Sequence, residues 1–199
     1  GAPAAGGPVG PWTVIDPGPV SEPHSRDVQA VLTERGGHVD RILVTHTHRD
    51  HSPGAAALAQ ATGAPVWGRL ASHPDWQDPA FAPQHQPQHG ERIAVAEGCT
   101  LRVIHTPGHA SNHLCYLLEE EHTLFTGDHV MQGSTVVINP PDGDVAAYLA
   151  ALQALLDEEQ AFGLRRLATY IAFQASANAV KDGLLTFLLY AAIRYPREL

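Results

Sequence analysis

The chain has 199 residues, 44% of them hydrophobic and 17% charged, with a formal net charge of −9. That length gives room for one domain, residues 1–199, with a real core, and the composition is that of an ordinary soluble globular protein. The acidic balance disfavours nucleic acid as a partner unless basic residues cluster locally or a metal offsets the field; the densest basic pair is Arg165-Arg166. Two cysteines, Cys99 and Cys115, without CxxC spacing, argue against a disulfide framework and for a reducing, cytoplasmic compartment. No basic stretch runs into an apolar one near the start, so no signal peptide is expected.

Residues 1–11 are rich in Gly, Ala and Pro and read as a flexible lead-in. Trp12–Ile15 reads as a short strand, ended by Asp16-Pro17-Gly18-Pro19. Ser25–Arg35 has Val28, Val31 and Leu32 at helical spacing, with Gly36-Gly37 as the stop. Val39–Thr45 is an apolar, buried strand. Ser52 is expected to cap a helix with Pro53 at its first position, running through Ala55–Ala61. Residues 64–67 form a short strand, and the Pro/Gln/His-rich 72–90 a long irregular loop. Four strands follow, at Arg92–Val95, Leu101–His105, His113–Leu118 and Thr123–Thr126. Asp142 or Asp144 caps a helix to about Leu156 whose apolar face carries Val145, Tyr148, Leu149, Leu152 and Leu155/Leu156. Leu164–Phe173 reads as a last strand, and 174–199 as a C-terminal helical segment. Within it, 183–193 is apolar on nearly all sides, which suits a buried or homodimer-forming helix but is too short to span a membrane. Strands mixed with helices in this order give an α/β domain.

Histidine is the anomaly: all 13 lie at or before His129. His73, His85 and His89 sit among Pro, Gln and Asp and read as surface residues. The sharp signal is Thr45-His46-Thr47-His48-Arg49-Asp50-His51, placed between a buried strand and a helix. In extended backbone His46 and His48 point to one side and can chelate one ion. The turn into the helix then lets Asp50 and His51 face a second. Imidazole and carboxylate suit zinc, and also iron or manganese. Two further turns follow strands: Thr106-Pro107-Gly108-His109, and Phe125-Thr126-Gly127-Asp128-His129, whose carboxylate can bridge two cations. Metal-type residues thus fall repeatedly at strand ends, where α/β sheets commonly place their sites.

H-x-H-x-D-H, then T-P-G-H, then G-D, in this order, resembles the metallo-β-lactamase superfamily, and most of all its branch related to β-lactamase-like protein 2 and glyoxalase II. The resemblance implies an αβ/βα sandwich with metal at one edge. It assigns His46, His48 and His109 to one ion, Asp50 and His51 to the second, and Asp128 to both. It makes Asp16 an acid that brace the metal loop, and puts His113 and His129 beside the ligands. The family usually adds earlier strands and a later Pro-Gly-His-Gly histidine, so the chain is expected to be shorter than the family's domain at both ends. The implied function is a zinc hydrolase, with one or two ions per chain, that directs metal-bound hydroxide at a thioester, ester or phosphodiester of a small-molecule substrate. Asp50 would orient the nucleophile. Cysteine holds the bridging position in the family's best-known lactam hydrolases, and Asp128 stands there here. The alternatives are a mononuclear iron enzyme resembling persulfide dioxygenases, built on His46, His109 and Asp128, and a non-catalytic binding module.

Overall fold

A computed structural model describes residues 11–131, 134–162 and 166–168. All of the lead-in expected over 1–11 but Pro11, which begins a strand, the C-terminal helical segment expected over 174–199 with its apolar stretch 183–193, and most of the strand expected over 164–173 lie outside the described residues. Strands β1 (Pro11–Ile15), β2 (His38–Leu43) and β3 (Val66–Trp67) form a parallel sheet in that order. Strands β4 (Arg92–Ala96), β5 (Cys99–His105), β6 (Leu114–Leu118), β7 (Thr123–Phe125) and β8 (Arg166–Ala168) form a second sheet, antiparallel except for the β7–β8 pair. Helices α1 (Glu22–Arg35) and α2 (Gly54–Thr62) belong with the first sheet, and α3 (Val145–Phe162) with the second.

Side-chain alternation along the strands builds the layers. On β2, Ile42 packs among Val28, Ala55 and Leu58 of α1 and α2, whereas Leu43 packs among Leu101, Val103, Leu114 and Tyr116 of the second sheet. On β6, Leu114, Tyr116 and Leu118 face that shared core, while Cys115 and Leu117 face Leu155 of α3. Helix, sheet, sheet, helix is the αβ/βα sandwich. Strands buried on both faces explain the continuous apolar runs in the sequence. Arg102, on the outer side of β5, reaches across to α3 and donates to Glu158 at 2.9 and 2.6 Å.

Three local expectations need correction. Helix α1 begins at Glu22, ahead of Ser25, because Pro23 suits a first turn. Ser52 does not cap α2: Pro53 occupies the cap position, and the Ser52 hydroxyl donates to Asp78 at 2.6 Å. On α3, Val145, Leu149 and Leu156 are exposed while Ala151 and Leu155 are buried. The apolar stripe is wider than the strip of helix that one sheet covers. Asp144 is the α3 cap, accepting from the Ala147 N–H at 2.7 Å; Asp142 instead accepts from Ser111. The loop over 72–90 holds a short 3₁₀ turn, Pro74–Trp76, and His85 in it pairs with Glu91 at 2.6 Å. No helix among the described residues is long and apolar enough to cross a membrane.

Candidate metal centre

Three strand ends converge. His46 to His51 follow β2, His109 lies between β5 and β6, and Asp128 follows β7. The two sheets are tied at this edge by the Leu114 N–H donating to the Thr45 carbonyl at 2.8 Å. His46, His48 and His109 offer ring nitrogens within 4.8 Å of one another, as do the ligand atoms of His46, His51 and Asp128. Asp128 spans the two groups: Oδ1 lies 3.3 Å from His51 Nε2, and Oδ2 lies 3.6 Å from His109 Nε2. Asp50 stands at the margin, its Oδ2 3.6 Å from His51 Nε2 and its side chain 45% exposed.

The hydrogen bonds fix which ring nitrogens carry protons. Thr45 Oγ1 donates its one proton to Asp16 Oδ2 at 2.7 Å, so its 3.0 Å contact with His46 requires His46 Nδ1–H as the donor. His109 Nδ1 lies 2.6 Å from the Val137 carbonyl, which only accepts, so His109 also carries its proton on Nδ1. The two Nε2 atoms therefore present lone pairs to each other at 3.2 Å. Facing lone pairs repel unless a cation lies between them. Two imidazoles bound at about 2.0–2.1 Å to a tetrahedral zinc would hold their nitrogens roughly 3.3 Å apart, which these rings already match. The donor set fits a divalent cation.

Asp16 supports the whole loop. Its Oδ1 accepts from the Thr45 N–H at 2.7 Å, and its Oδ2 accepts from Thr45 Oγ1 and from His51 Nδ1 at 2.9 Å. It adopts φ 50, a left-handed conformation uncommon outside glycine and best tolerated by Asn and Asp. Two glycines are as constrained. Gly127 has φ 48, and a β-carbon there would meet His113 Nε2 at 2.7 Å; at Gly108, with φ 140, one would overlap the Tyr148 backbone.

Burial, reinforced by neighbouring histidines, lowers the pKa of His46 well below its usual value and that of His48 to about 4. Burial also lowers His109, against the opposing pull of Val137 and Asp128. For His51, burial would act the same way, but Asp16 and Asp128 outweigh it and hold the ring up at about 10. Burial would raise Asp128, yet the hydrogen bond and charge of His51 keep it below the usual carboxylate range. The edge is thus divided into a neutral histidine triad and a charged His51–Asp128 couple.

Some partners had no sequence signal. Val137 acts through its carbonyl, which any residue would supply. Asn112 donates to Thr47 Oγ1 at 2.8 Å and to the Arg69 carbonyl at 2.9 Å, pinning the metal loop; a lone Asn in a turn gives no hint of this. His113 and His129 are fully buried rather than surface residues, and the His113 ring centre is 5.0 Å from that of His46. Burial lowers His113 strongly and His129 to about 4. A cleft of about 660 Å³ opens on the triad, lined by His48, Asp50 and His109, by residues 75–79 of the long loop, and by Val137 and Asn139.

The sequence profile of the Metallo-beta-lactamase superfamily matches residues 7–162. The chain belongs to the metallo-β-lactamase superfamily. A second profile, that of the C-methyltransferase C-terminal domain, matches residues 131–194. An atrochrysone carboxyl ACP thioesterase of Pseudocercospora fijiensis is 34% identical over 131 residues, 66% of this chain and 36% of that protein. This metallo-β-lactamase-superfamily chain thus spans little more than a third of the length of that curated relative. Among solved structures, ETHE1 from Myxococcus xanthus is 29% identical with a TM-score of 0.58, covering 72% of this chain and 58% of that one. TTHA1623 in a di-iron-bound form is also 29% identical, with a TM-score of 0.60 over 72% of this chain and 74% of that one.

Proposed function

We propose that the chain is a metal-dependent hydrolase and that its substrate is a thioester. The observation that carries the reading is the pair of lone-pair-bearing nitrogens, His46 Nε2 and His109 Nε2, aimed at each other at 3.2 Å beside His48. His46, His48 and His109 hold the first cation, and His51 and Asp128 hold a second with Asp50 at its margin, so one or two ions bind per chain. Zinc is the cation this donor set suits best, with iron and manganese as rivals; a di-iron form exists in one structural relative. When bound, the cation supplies a nucleophile at neutral pH and stabilises negative charge developing on the substrate carbonyl. The protein's own groups do the rest. Asp16 and Val137 fix the ring tautomers, so the ligand lone pairs are aimed before any cation arrives. Asp50, part-exposed at the cleft, accepts a proton from attacking water and orients it. The thioester preference follows a relative that is named a thioesterase.

The test is metal content by elemental analysis, together with hydrolysis of N-acetylcysteamine thioesters by zinc-, iron- and manganese-reconstituted protein. One to two ions per chain are expected, with His48→Ala losing the first and His51→Ala only the second. Turnover should fall by at least about 10²-fold in Asp50→Asn. Metal at background in every reconstituted sample would sink the reading.

A further inference from the structure

The cleft beside the triad has a second wall that the hydrolytic chemistry does not use. Pro53, Trp76, Pro79 and Val137 line it, and Trp76 is its large flat element. Trp76 belongs to none of the three hydrophobic clusters that form the core, and its indole N–H makes no hydrogen bond among the described residues. A large aromatic ring left part-exposed, outside the core, against a cleft has no evident duty to the fold.

The turn that carries it is nevertheless fixed. Gln77 Oε1 accepts from the Ala71 N–H at 2.7 Å, and the Gln77 N–H donates back to the Pro74 carbonyl at 3.1 Å. Asp78 Oδ1 accepts from the Ala80 N–H at 2.9 Å, and Asp78 Oδ2 accepts from Ser52 Oγ at 2.6 Å. Ser52 is buried and directly follows His51. The turn that carries Trp76 is therefore bolted to the loop that carries the candidate ligands. Two prolines and a valine complete a wall with few rotamers to lose on contact. A rigid flat wall favours a rigid flat ligand, because neither side loses much conformational entropy on stacking; a straight alkyl chain loses rotor freedom and covers the wall less completely.

We infer that Trp76 is a specificity-determining residue that stacks a planar, ring-containing acyl group of the substrate, so that this centre takes aryl thioesters in preference to straight-chain ones. The inference rests on the hydrolase reading above for the reaction, but not for the binding. The ring lies on the Trp76–Pro79 side, and the scissile carbonyl lies toward His48, Asp50 and His109.

The experiment uses zinc-reconstituted protein, wild type, Trp76→Ala and Trp76→Phe, with equal thermal unfolding of all three confirmed first. Calorimetry measures binding of 2-naphthoate and of octanoate. Steady-state kinetics measure hydrolysis of their N-acetylcysteamine thioesters. Trp76→Ala is expected to weaken 2-naphthoate binding, and to raise the naphthoyl KM, by about tenfold, with kcat and the octanoyl values within about twofold. Trp76→Phe should keep the naphthoyl preference. Equal weakening of both ligands, or no change in either, overturns the inference. If no thioester is hydrolysed but 2-naphthoate binding still depends on an aromatic residue at 76, the ring subsite stands and the hydrolase reading fails.

Discussion

Asp16→Asn is the sharpest probe of the metal loop. Asp16 is 3% exposed and accepts three hydrogen bonds, two of them on Oδ2. The amide keeps the shape but replaces one acceptor with an NH₂ donor. Placed at Oδ2, that donor opposes Thr45 Oγ1 and His51 Nδ1; flipped, it opposes the Thr45 N–H. Each hydrogen bond to a charged group contributes about 1.5–3 kcal/mol, so losing two costs about 3–6 kcal/mol. The titration of His51 gives the same scale. Its shift from 6.5 to about 10, shared between Asp16 and Asp128, is on the order of 5 kcal/mol at ~1.4 kcal/mol per pH unit. The folded pKa is raised above the unfolded one, so this stability is complete below pH 6.5 and is lost as pH rises toward about 10. Urea unfolding of chelator-treated protein at several values from pH 7.5 to 9, above the range in which the buried histidines titrate on unfolding, measures both features. Wild type should weaken with rising pH over that range; Asp16→Asn should start about 3–6 kcal/mol lower and show a shallower slope, because only Asp128 still holds His51 up. A variant within about 1 kcal/mol of wild type at pH 7.5, or one with an unchanged pH slope, would refute the reasoning.

The buried histidines set the acid limit. His48 and His129 are held at about 4, and His46 and His113 are lowered further, so metal-free protein should lose stability as pH falls from about 6.5 toward 4. His129→Leu removes a group that charges on unfolding in acid, along with two buried ring nitrogens that lack hydrogen-bond partners among the described residues. Far-UV dichroism in an acid titration should show its midpoint moved to lower pH, with stability at pH 7 kept or raised by about 1 kcal/mol; an unmoved midpoint contradicts this. Gly108→Ala should cost about 2–4 kcal/mol, because a β-carbon there overlaps the Tyr148 backbone at a positive φ. Gly63→Ala, with φ 75 but open space around it, should cost only about 1–2 kcal/mol when both variants are compared by thermal unfolding; equal losses would mean that crowding at Gly108 is not the cause.

What the sequence made legible depended on how local each signal is. The strands at β5 and β6 and the apolar run of β2 could be read because composition and turn punctuation depend only on neighbours in the chain, whereas which face of the all-apolar β6 meets which layer could not. The histidine-rich loop could be read because His46, His48 and His51 are close in sequence as well as in space. The division of labour within the site could not. That His46 shows its lone pair to His109 follows from Asp16, 29 residues away from Thr45, taking the Thr45 proton. The α3 face was read too wide for a related reason: leucines at helical spacing say which residues are apolar, and only the area of the covering sheet says which are buried. Trp76 left no pattern at all, since it matters through the cleft that the long loop happens to border.

The two halves of the centre should also differ in how they exchange protons for metal. Burial holds His46 and His48 neutral well below pH 7 and lowers His109 from its usual value, so a cation entering the triad is expected to displace little ring proton. His51, held at about 10 between Asp16 and Asp128, carries a proton that a second cation must expel. Zinc titration by calorimetry at pH 6, in two buffers of different ionisation enthalpy, counts those protons, and this pH keeps coordinated water protonated. The first ion should release about none and the second about one, and His51→Ala should abolish the second release. Two ions bound without proton release would show that His51 is neutral in the metal-free protein, and the electrostatic account of the Asp16–His51–Asp128 chain would fall with it. If the release is seen, proton competition makes the second ion the weaker one at neutral pH. Its apparent affinity then climbs about tenfold per pH unit until His51 titrates. The His51–Asp128 position would in that case be the exchangeable one, as a matter of protonation as well as ligand number.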